Sequence, residues 1–159
     1  NYTSKHNLYD EIPMSELKSI LFNGIRKGVF GETKFDSHPE LVLARIAEQD
    51  DSVIKWLRPA ADEFNISYIS PKDNRQHNYE PDMVIETEDC RYLVEVKASD
   101  QLNNEVVLAK KEKAIKYCRL ATEYCEAHRS KPWKYLFIPD NQIMPNSSFD
   151  NISARFVEQ

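Results

Sequence analysis

Glycine is scarce in this chain. Only three of the 159 residues are glycine, and none forms the Gly-rich loop that cradles phosphates in P-loop or dinucleotide-binding proteins. Any ATP-driven step would therefore have to reside in another part of a larger protein. Apolar runs of about twenty residues, the length needed to cross a bilayer, are absent too, and no stretch has the pattern of a signal peptide.

Cysteine is also sparse and lacks metal-binding spacing. The three cysteines, Cys90, Cys118 and Cys125, form no Cys-x-x-Cys pair, which argues against a zinc site. Cys118 and Cys125 lie seven residues apart on one face of a predicted helix, so they cannot easily bridge each other. We predict reduced, mostly buried thiols in a cytoplasmic protein.

Positive charge is in deficit overall but concentrated locally. The chain has 21 Lys and Arg against 26 Asp and Glu, a net charge of −5, which at first sight argues against a nucleic-acid binder. Residues 101–135, however, hold eight basic and four acidic residues, whereas residues 1–100 hold twelve and nineteen. A basic helix beside an acidic segment suits a protein that grips phosphates next to metal-binding carboxylates. A merely solvated helix face explains the same pattern equally well.

Hydrophobic periodicity predicts a single α/β domain. The predicted elements are a helix over 14–27, a helix from 37 to about 57, strands over 64–69, 79–86 and 92–98, a helix over 105–128 and a strand over 133–138. This order predicts an αβββαβ core with a central mixed sheet flanked by helices. The last ten residues give no assignable pattern.

A Pro-Asp pair and a Glu-Val-Lys triplet lie on two adjacent apolar runs. The polar stretch 87–91 between them has hairpin length. A turn centred on Glu88 and Asp89 pairs residue i with residue 177 − i, which puts Asp82 opposite Glu95 with Cβ atoms about 5 Å apart. Lys97 shares that face of the hairpin. The other face then carries Met83, Ile85, Tyr92, Val94 and Val96, which suit a core.

Two facing carboxylates beside an ammonium group predict a metal site. Carboxylates this close repel each other, and ionising both calls for a cation between them. Hard oxygen ligands with open positions favour Mg²⁺, with Mn²⁺ as a possible substitute. We therefore predict a metal-dependent phosphodiester hydrolase.

Each residue of this group also has a plainer explanation. Asp82 follows a proline, and Pro-Asp is common at turns, where the carboxylate bonds nearby amides. Glu95 and Lys97 could form a surface ladder of opposite charges. The second explanation is disfavoured because the strand should be central, and buried charges are costly unless they are paired or bound to metal.

The hairpin resembles the PD-(D/E)xK nuclease superfamily, and in particular the endonuclease domain at the C-terminal end of type III restriction enzyme subunits (Res subunit). Segments in that family's order are Phe35-Asp36-Ser37 with Glu40, Val53-Ile54-Lys55-Trp56, Tyr79-Glu80-Pro81-Asp82, Val94-Glu95-Val96-Lys97, Glu105-Val106 with Lys110, and Trp133-Lys134-Tyr135-Leu136-Phe137-Ile138-Pro139. A Trp-Cys pair expected on the last helix is Tyr117-Cys118 here, away from the catalytic positions.

The resemblance implies roles for the residues of the hairpin. Asp82 and Glu95 would ligate Mg²⁺ together with the backbone carbonyl of Val96, and Lys97 would orient the attacking water or stabilise charge on the phosphate. It also implies duplex DNA as substrate, a helicase or ATPase domain in the parent chain, and a modification (methyltransferase) subunit as partner.

We expect one nuclease domain over residues 1–159. Its parts are an N-terminal helical extension over 1–34, the PD-(D/E)xK core over 35–140 and a C-terminal tail over 141–159. Because the chain starts at Asn rather than Met, we expect a domain excised from a larger helicase-nuclease protein. The alternative is a catalytically inactive PD-(D/E)xK-like module for DNA or protein docking, which the intact Asp82, Glu95 and Lys97 disfavour.

Glu40 has two predicted roles that stay equally weighted. Ser37 and Glu40 match a capping box, in which the glutamate reaches back to the backbone before the helix. The same glutamate matches the acidic residue that many PD-(D/E)xK nucleases place near the metal on the first core helix.

The basic helix gives candidate DNA contacts. Lys110, Lys113 and Lys116 fall at three-residue steps and share one side of the helix, and Lys110 matches a lysine of the resembled family. We predict that this side binds phosphate, with Lys110 the first choice. A solvated lysine face stays open as the alternative.

Overall fold

A five-stranded mixed sheet forms the centre of the molecule. The computed structural model describes residues 1–159. Its helices are α1 (His38–Gln49), α2 (Glu105–Ala127) and α3 (Phe149–Phe156), with short 3-10 turns at Met14–Ser19 and Asp140–Gln142. Its strands are β1 (Ser4–Asn7), β2 (Ile20–Asn23), β3 (Val53–Leu57), β4 (Ile66–Ile69), β5 (Gln76–Tyr79), β6 (Met83–Thr87), β7 (Arg91–Lys97), β8 (Trp133–Pro139) and β9 (Val157–Glu158).

The strand order in the central sheet is β3-β6-β7-β8-β9. β7 and β8 are parallel and are joined by α2, whereas the other neighbours are antiparallel. The core order is therefore α1, β3, β6, β7, α2, β8, which confirms the predicted αβββαβ fold class with a mixed sheet flanked by helices.

Helices cover both faces of the sheet. On one face, α1 and α3 pack with β6, β7 and β8 in a cluster of 21 buried apolar residues that includes Leu43, Met83 and Val94. On the other face, α2 packs over a second cluster of ten residues that includes Val84 and Leu93. β7 is thus a central strand that is buried on both sides. No helix of the protein is both long and apolar enough to cross a membrane.

The β6–β7 hairpin has the predicted register. Met83 pairs with Val94, Val84 with Leu93, Ile85 with Tyr92, and Glu86 with Arg91, so every pair obeys the 177 − i relation. The face carrying Met83, Ile85 and Val94 lies in the larger core, with Tyr92 and Val96 packed against it. The face carrying Glu95 is the one beneath α2. The predicted separation of polar and apolar faces is confirmed.

Two predicted helices are wrong in part. Residues 14–27 contain only the 3-10 turn Met14–Ser19, followed by β2, which pairs in parallel with β1. The N-terminal extension is therefore not helical, because a non-local strand pairing takes over the apolar residues after Ser19. The helix from 37 ends at Gln49, and Val53–Leu57 is the edge strand β3. Asp50 Oδ1 accepts hydrogen bonds from Ser52 N and Oγ, and this local turn ends the helix.

The first of the three core strands is β3 rather than the predicted strand over 64–69. Residues Ile66–Ile69 instead pair with Gln76–Tyr79 in a separate two-stranded sheet, the β4–β5 hairpin. The predicted strand over 79–86 is accordingly split, because Pro81 cannot donate a ladder hydrogen bond. Ile66, Tyr68 and Tyr79 pack into the α2-side cluster, so this hairpin lies against the helix that covers the site.

The second half of the chain follows the prediction closely, except at its end. α2 and β8 occupy the predicted positions, and all three cysteines are unpaired and buried. The unassigned tail forms α3 and β9. The Phe149 backbone N–H donates to Asp50 Oδ2 at 2.7 Å, which ties α3 to the end of α1.

Candidate active site

The Pro-Asp pair lies where β6 leaves the β7 ladder. The Asp82 N–H donates to the Val94 carbonyl at 2.9 Å. The Asp82 carboxylate in turn accepts the Val96 N–H, through Oδ2, at 2.8 Å. Asp82 Oδ2 thus replaces the backbone carbonyl that would otherwise accept the Val96 N–H. This hydrogen bond fixes the half-buried carboxylate at the start of β6, near Glu95.

Proline at position 81 also affects the Val96 carbonyl. In a strand, the N–H and C=O of one residue point towards the same neighbouring strand. Because the Val96 N–H points to Asp82, its carbonyl faces the same side, where Pro81 has no N–H to donate. The local sequence therefore leaves a backbone oxygen without a ladder donor, next to the Asp82 carboxylate.

Glu95 is a buried carboxylate with different partners on its two oxygens. Its relative exposure is 7%. Oε2 accepts the Tyr79 hydroxyl at 2.8 Å, and Oε1 lies 3.4 Å from Lys97 Nζ. Lys97 thus contacts Glu95, and Asp82 bonds the backbone of Val96 between them in sequence. Asp82 precedes the paired residues of β6, so its position directly opposite Glu95 stays a prediction.

Burial and mutual repulsion shape the charge state of this pair. Burial, then the neighbouring Glu95 and Glu40 carboxylates, hold the pKa of Asp82 well above its usual range, although the Val96 N–H and Arg58 oppose the shift. Burial raises the pKa of Glu95 as well, against the opposing effects of Lys97 and Tyr79. Both shifts favour the neutral form, so a bound cation would relieve an existing electrostatic cost.

Glu40 carries features of both of its predicted roles. The Glu40 N–H donates to Ser37 Oγ at 3.4 Å, and Glu40 Oε2 accepts the Asp36 N–H at 3.1 Å. The cap is real, but the carboxylate reaches one residue further back than in a standard capping box. Glu40 Oε2 also lies 3.6 Å from Arg58 Nη1, and its charge acts on Asp82.

Glu40→Gln is expected to separate these two roles. Glutamine keeps a side-chain oxygen for the Asp36 N–H but removes the charge that a metal site would use. If the charge serves the site, cleavage drops while the melting temperature barely moves. A Glu40→Ala variant that loses about 1 kcal/mol of stability yet cleaves normally would instead identify the residue as a cap alone. Thermal unfolding and plasmid nicking measure the two effects.

The three candidate DNA-binding lysines lie in different surroundings. Lys110 Nζ lies over the Tyr68 ring of the β4–β5 hairpin, 5.6 Å from its centroid, and its charge lowers the pKa of Glu95. Lys113 is partly exposed and Lys116 is exposed. Lys110 therefore belongs to the rim of the carboxylate site, and the other two continue outward along α2.

Three residues near the carboxylates had no role in the sequence-based prediction. Arg58 donates to the Lys34 carbonyl and to Asp36, and its charge acts on Asp82. Tyr79 bonds to Glu95 and lies 3.3 Å, oxygen to oxygen, from the Tyr135 hydroxyl. Tyr79 was visible as part of the motif, but the role of Tyr135 depends on the parallel β7–β8 register, which no local pattern encodes.

The donor set fits a magnesium ion with water in its coordination shell. No group of three or more His, Cys, Asp or Glu side chains in the chain is arranged to hold a metal ion. The candidate ligands are therefore the carboxylates of Asp82 and Glu95 and the backbone carbonyl of Val96. Mg²⁺ is commonly held by one or two carboxylates while keeping several waters, so this set is sufficient in number and chemistry.

Comparison with known proteins identifies the family. The family model described as "TnsA-like endonuclease N terminal" matches residues 50–131, which include Asp82, Glu95, Lys97 and Lys110. No curated protein matches the chain. The matched segment runs from β3 through α2, and therefore contains the hairpin whose geometry is described above. This protein belongs to the TnsA-like endonuclease N-terminal family, which has a restriction-endonuclease-like PD-(D/E)xK fold.

Proposed function

We propose that this domain is a Mg²⁺-dependent endonuclease that hydrolyses phosphodiester bonds of duplex DNA. The observation that carries the proposal is a pair of interacting carboxylates at the end of the hairpin. Asp82 is fixed by the Val96 N–H, Glu95 contacts Lys97, and the charge of Glu95 acts on Asp82. Membership of an endonuclease family supports the same chemistry.

Each residue of the group has a distinct task in this proposal. Asp82, Glu95 and the Val96 carbonyl would hold the metal, which when bound polarises the scissile phosphate and lowers the pKa of a coordinated water. Lys97 has three N–H donors, and its contact with Glu95 Oε1 uses one of them. The others are available to orient the attacking water or to stabilise negative charge on the phosphate. No covalent enzyme intermediate is needed.

A supercoiled-plasmid assay tests the proposal directly. We expect nicked and linear products with Mg²⁺ or Mn²⁺, and none with EDTA. Ca²⁺ serves as a control for binding without turnover. Cleavage that persists in EDTA would contradict the metal dependence.

The α2 lysines are proposed to bind the DNA backbone. Replacing Lys110, Lys113 and Lys116 with Gln should weaken binding to unrelated duplexes by similar factors. It should also reduce the slope of log affinity against log salt by about 0.9 for each phosphate that the protein no longer neutralises. Fluorescence anisotropy in Ca²⁺ at several salt concentrations measures both effects.

A matched triple variant controls for net charge. Lys5, Lys18 and Lys55 are exposed and lie outside α2. Their replacement with Gln removes the same charge but should leave the salt slope unchanged. An equal fall in slope for both triples would show that net charge, rather than the α2 face, determines the effect.

The larger context is also a proposal. In the type III arrangement that the motif order resembles, a modification subunit would supply target recognition and a helicase or ATPase domain of the parent chain would supply translocation. The family match supports the nuclease itself and leaves this context to be tested by co-purification with such partners. A cytoplasmic location belongs to the same proposal, supported by three unpaired, buried thiols.

A further inference from the structure

Glu95 is held by a hydrogen-bonded pair of tyrosines, Tyr79 and Tyr135. The Tyr79 hydroxyl donates to Glu95 Oε2 at 2.8 Å, and the Tyr135 hydroxyl lies 3.3 Å from it. Tyr79 is 2% exposed and Tyr135 is 1% exposed. The pair therefore lies inside the protein, behind the carboxylate and away from solvent.

The hydrogen bonds that link Tyr135, Tyr79 and Glu95 have one direction, because the Glu95 carboxylate is the final acceptor. A hydroxyl has one proton to donate, and the Tyr79 proton is used by Glu95. The remaining contact therefore runs from Tyr135 as donor to Tyr79 as acceptor. Both hydroxyl dipoles point towards the carboxylate, and such linked bonds reinforce one another in a low-dielectric interior.

The two tyrosines come from different parts of the fold. Tyr79 ends β5 in the separate β4–β5 hairpin, and Tyr135 lies on β8, where it pairs with Leu93 of β7. Glu95 is thus held directly by Tyr79 and indirectly, through Tyr79, by Tyr135. Its other oxygen, Oε1, remains on the side of Lys97, so the tyrosines determine which oxygen is available to a cation.

We propose that Tyr79, supported by Tyr135, is a positioning residue that orients the Glu95 carboxylate for divalent-metal binding. This inference rests on the proposed function. Partners that hydrogen-bond a ligating carboxylate fix its orientation, and their loss costs about 10- to 100-fold in metal affinity or activity. Packing alone does not account for the hydroxyl, since phenylalanine would fill the same space.

Mn²⁺ binding to the DNA-free protein tests the inference. Tyr79→Phe should weaken Mn²⁺ affinity by about tenfold or more, measured by calorimetry, and should lower kcat for plasmid nicking with little change in KM for DNA. Tyr135→Phe keeps the Tyr79–Glu95 bond and should lose less affinity. Tyr68→Phe is the matched control, because it removes the hydroxyl of another buried tyrosine in the same hairpin, and its affinity should equal that of the parent protein.

The outcomes distinguish this inference from the function on which it rests. If the parent protein binds Mn²⁺, and Glu95→Gln removes that binding while Tyr79→Phe retains parental affinity, the positioning role is overturned and the nuclease site stands. If Glu95→Gln leaves Mn²⁺ binding unchanged, both are overturned. Should Tyr79→Phe fail to fold, Tyr135→Phe decides: parental affinity in that variant overturns the tyrosine pair, and a measurable loss supports it.

Discussion

Plasmid nicking is expected to fall to background when Glu95 is replaced by Gln. The change keeps the size of the side chain and its bond to Tyr79, but removes the charge that the metal requires. Asp82→Asn and Lys97→Ala should have the same effect. Each loss should be at least about 10²- to 10³-fold, the order seen when one electrostatic group is removed from a transition-state site. Circular dichroism should show an unchanged fold in all three variants.

Glu88→Gln provides the matched control for these variants. Glu88 lies exposed in the turn of the same hairpin, so its replacement removes one carboxylate without touching the site. It should cleave at the parental rate. Loss of folding in all three site variants would show that these residues are structural, and parental cleavage in Glu95→Gln would exclude a metal role for that carboxylate.

Asp82→Asn is expected to raise the stability of the metal-free protein at neutral pH. Asparagine can still accept the Val96 N–H, while the repulsion from Glu95 and Glu40 disappears. Each kcal/mol of gain corresponds to about 2–4 °C in Tm for a domain of this size. Thermal unfolding in EDTA measures it.

The pH dependence of this gain has a definite sign. The folded-state pKa of Asp82 is raised above its unfolded value of about 3.9, so the fold prefers the neutral carboxyl. The associated stabilisation is present below about pH 4 and is lost as the pH rises through the folded pKa. The advantage of Asp82→Asn should therefore be absent in acid, grow with pH and then level off. Mg²⁺ should stabilise the parent protein more than the variant, and a constant difference at every pH would contradict this account.

The hairpin at the centre of the site could be predicted from sequence because its determinants are local. A short polar turn and the placement of the charged residues specify one register, since a slip by one residue would turn Glu95 and Lys97 towards the larger core. The same register separates Met83 and Ile85 from the face that carries Glu95. The observed pairing follows the prediction residue by residue.

The neighbours of the hairpin could not be predicted because their determinants are distant. Val53–Leu57 continues the apolar stripe of α1, and only the Asp50 turn and pairing with β6 make it a strand. Leu17 and Ile20 have helical spacing, yet β2 forms because β1 lies beside it. The contact between Tyr79 and Tyr135 joins residues 56 positions apart.

The parallel pairing of β7 with β8 has kinetic implications for how the site assembles. The β6–β7 hairpin closes through a short turn, and such hairpins form in about 1–10 μs. β8 can join only after the chain has passed through the whole of α2, and pairing of distant segments is slower because the loop-closure entropy is lost first. We expect the two carboxylates to meet while they are still hydrated, and to be covered only when α2 and β8 dock. The two carboxylates therefore lose their hydration, at a cost in free energy, in a late folding step after the hairpin has formed.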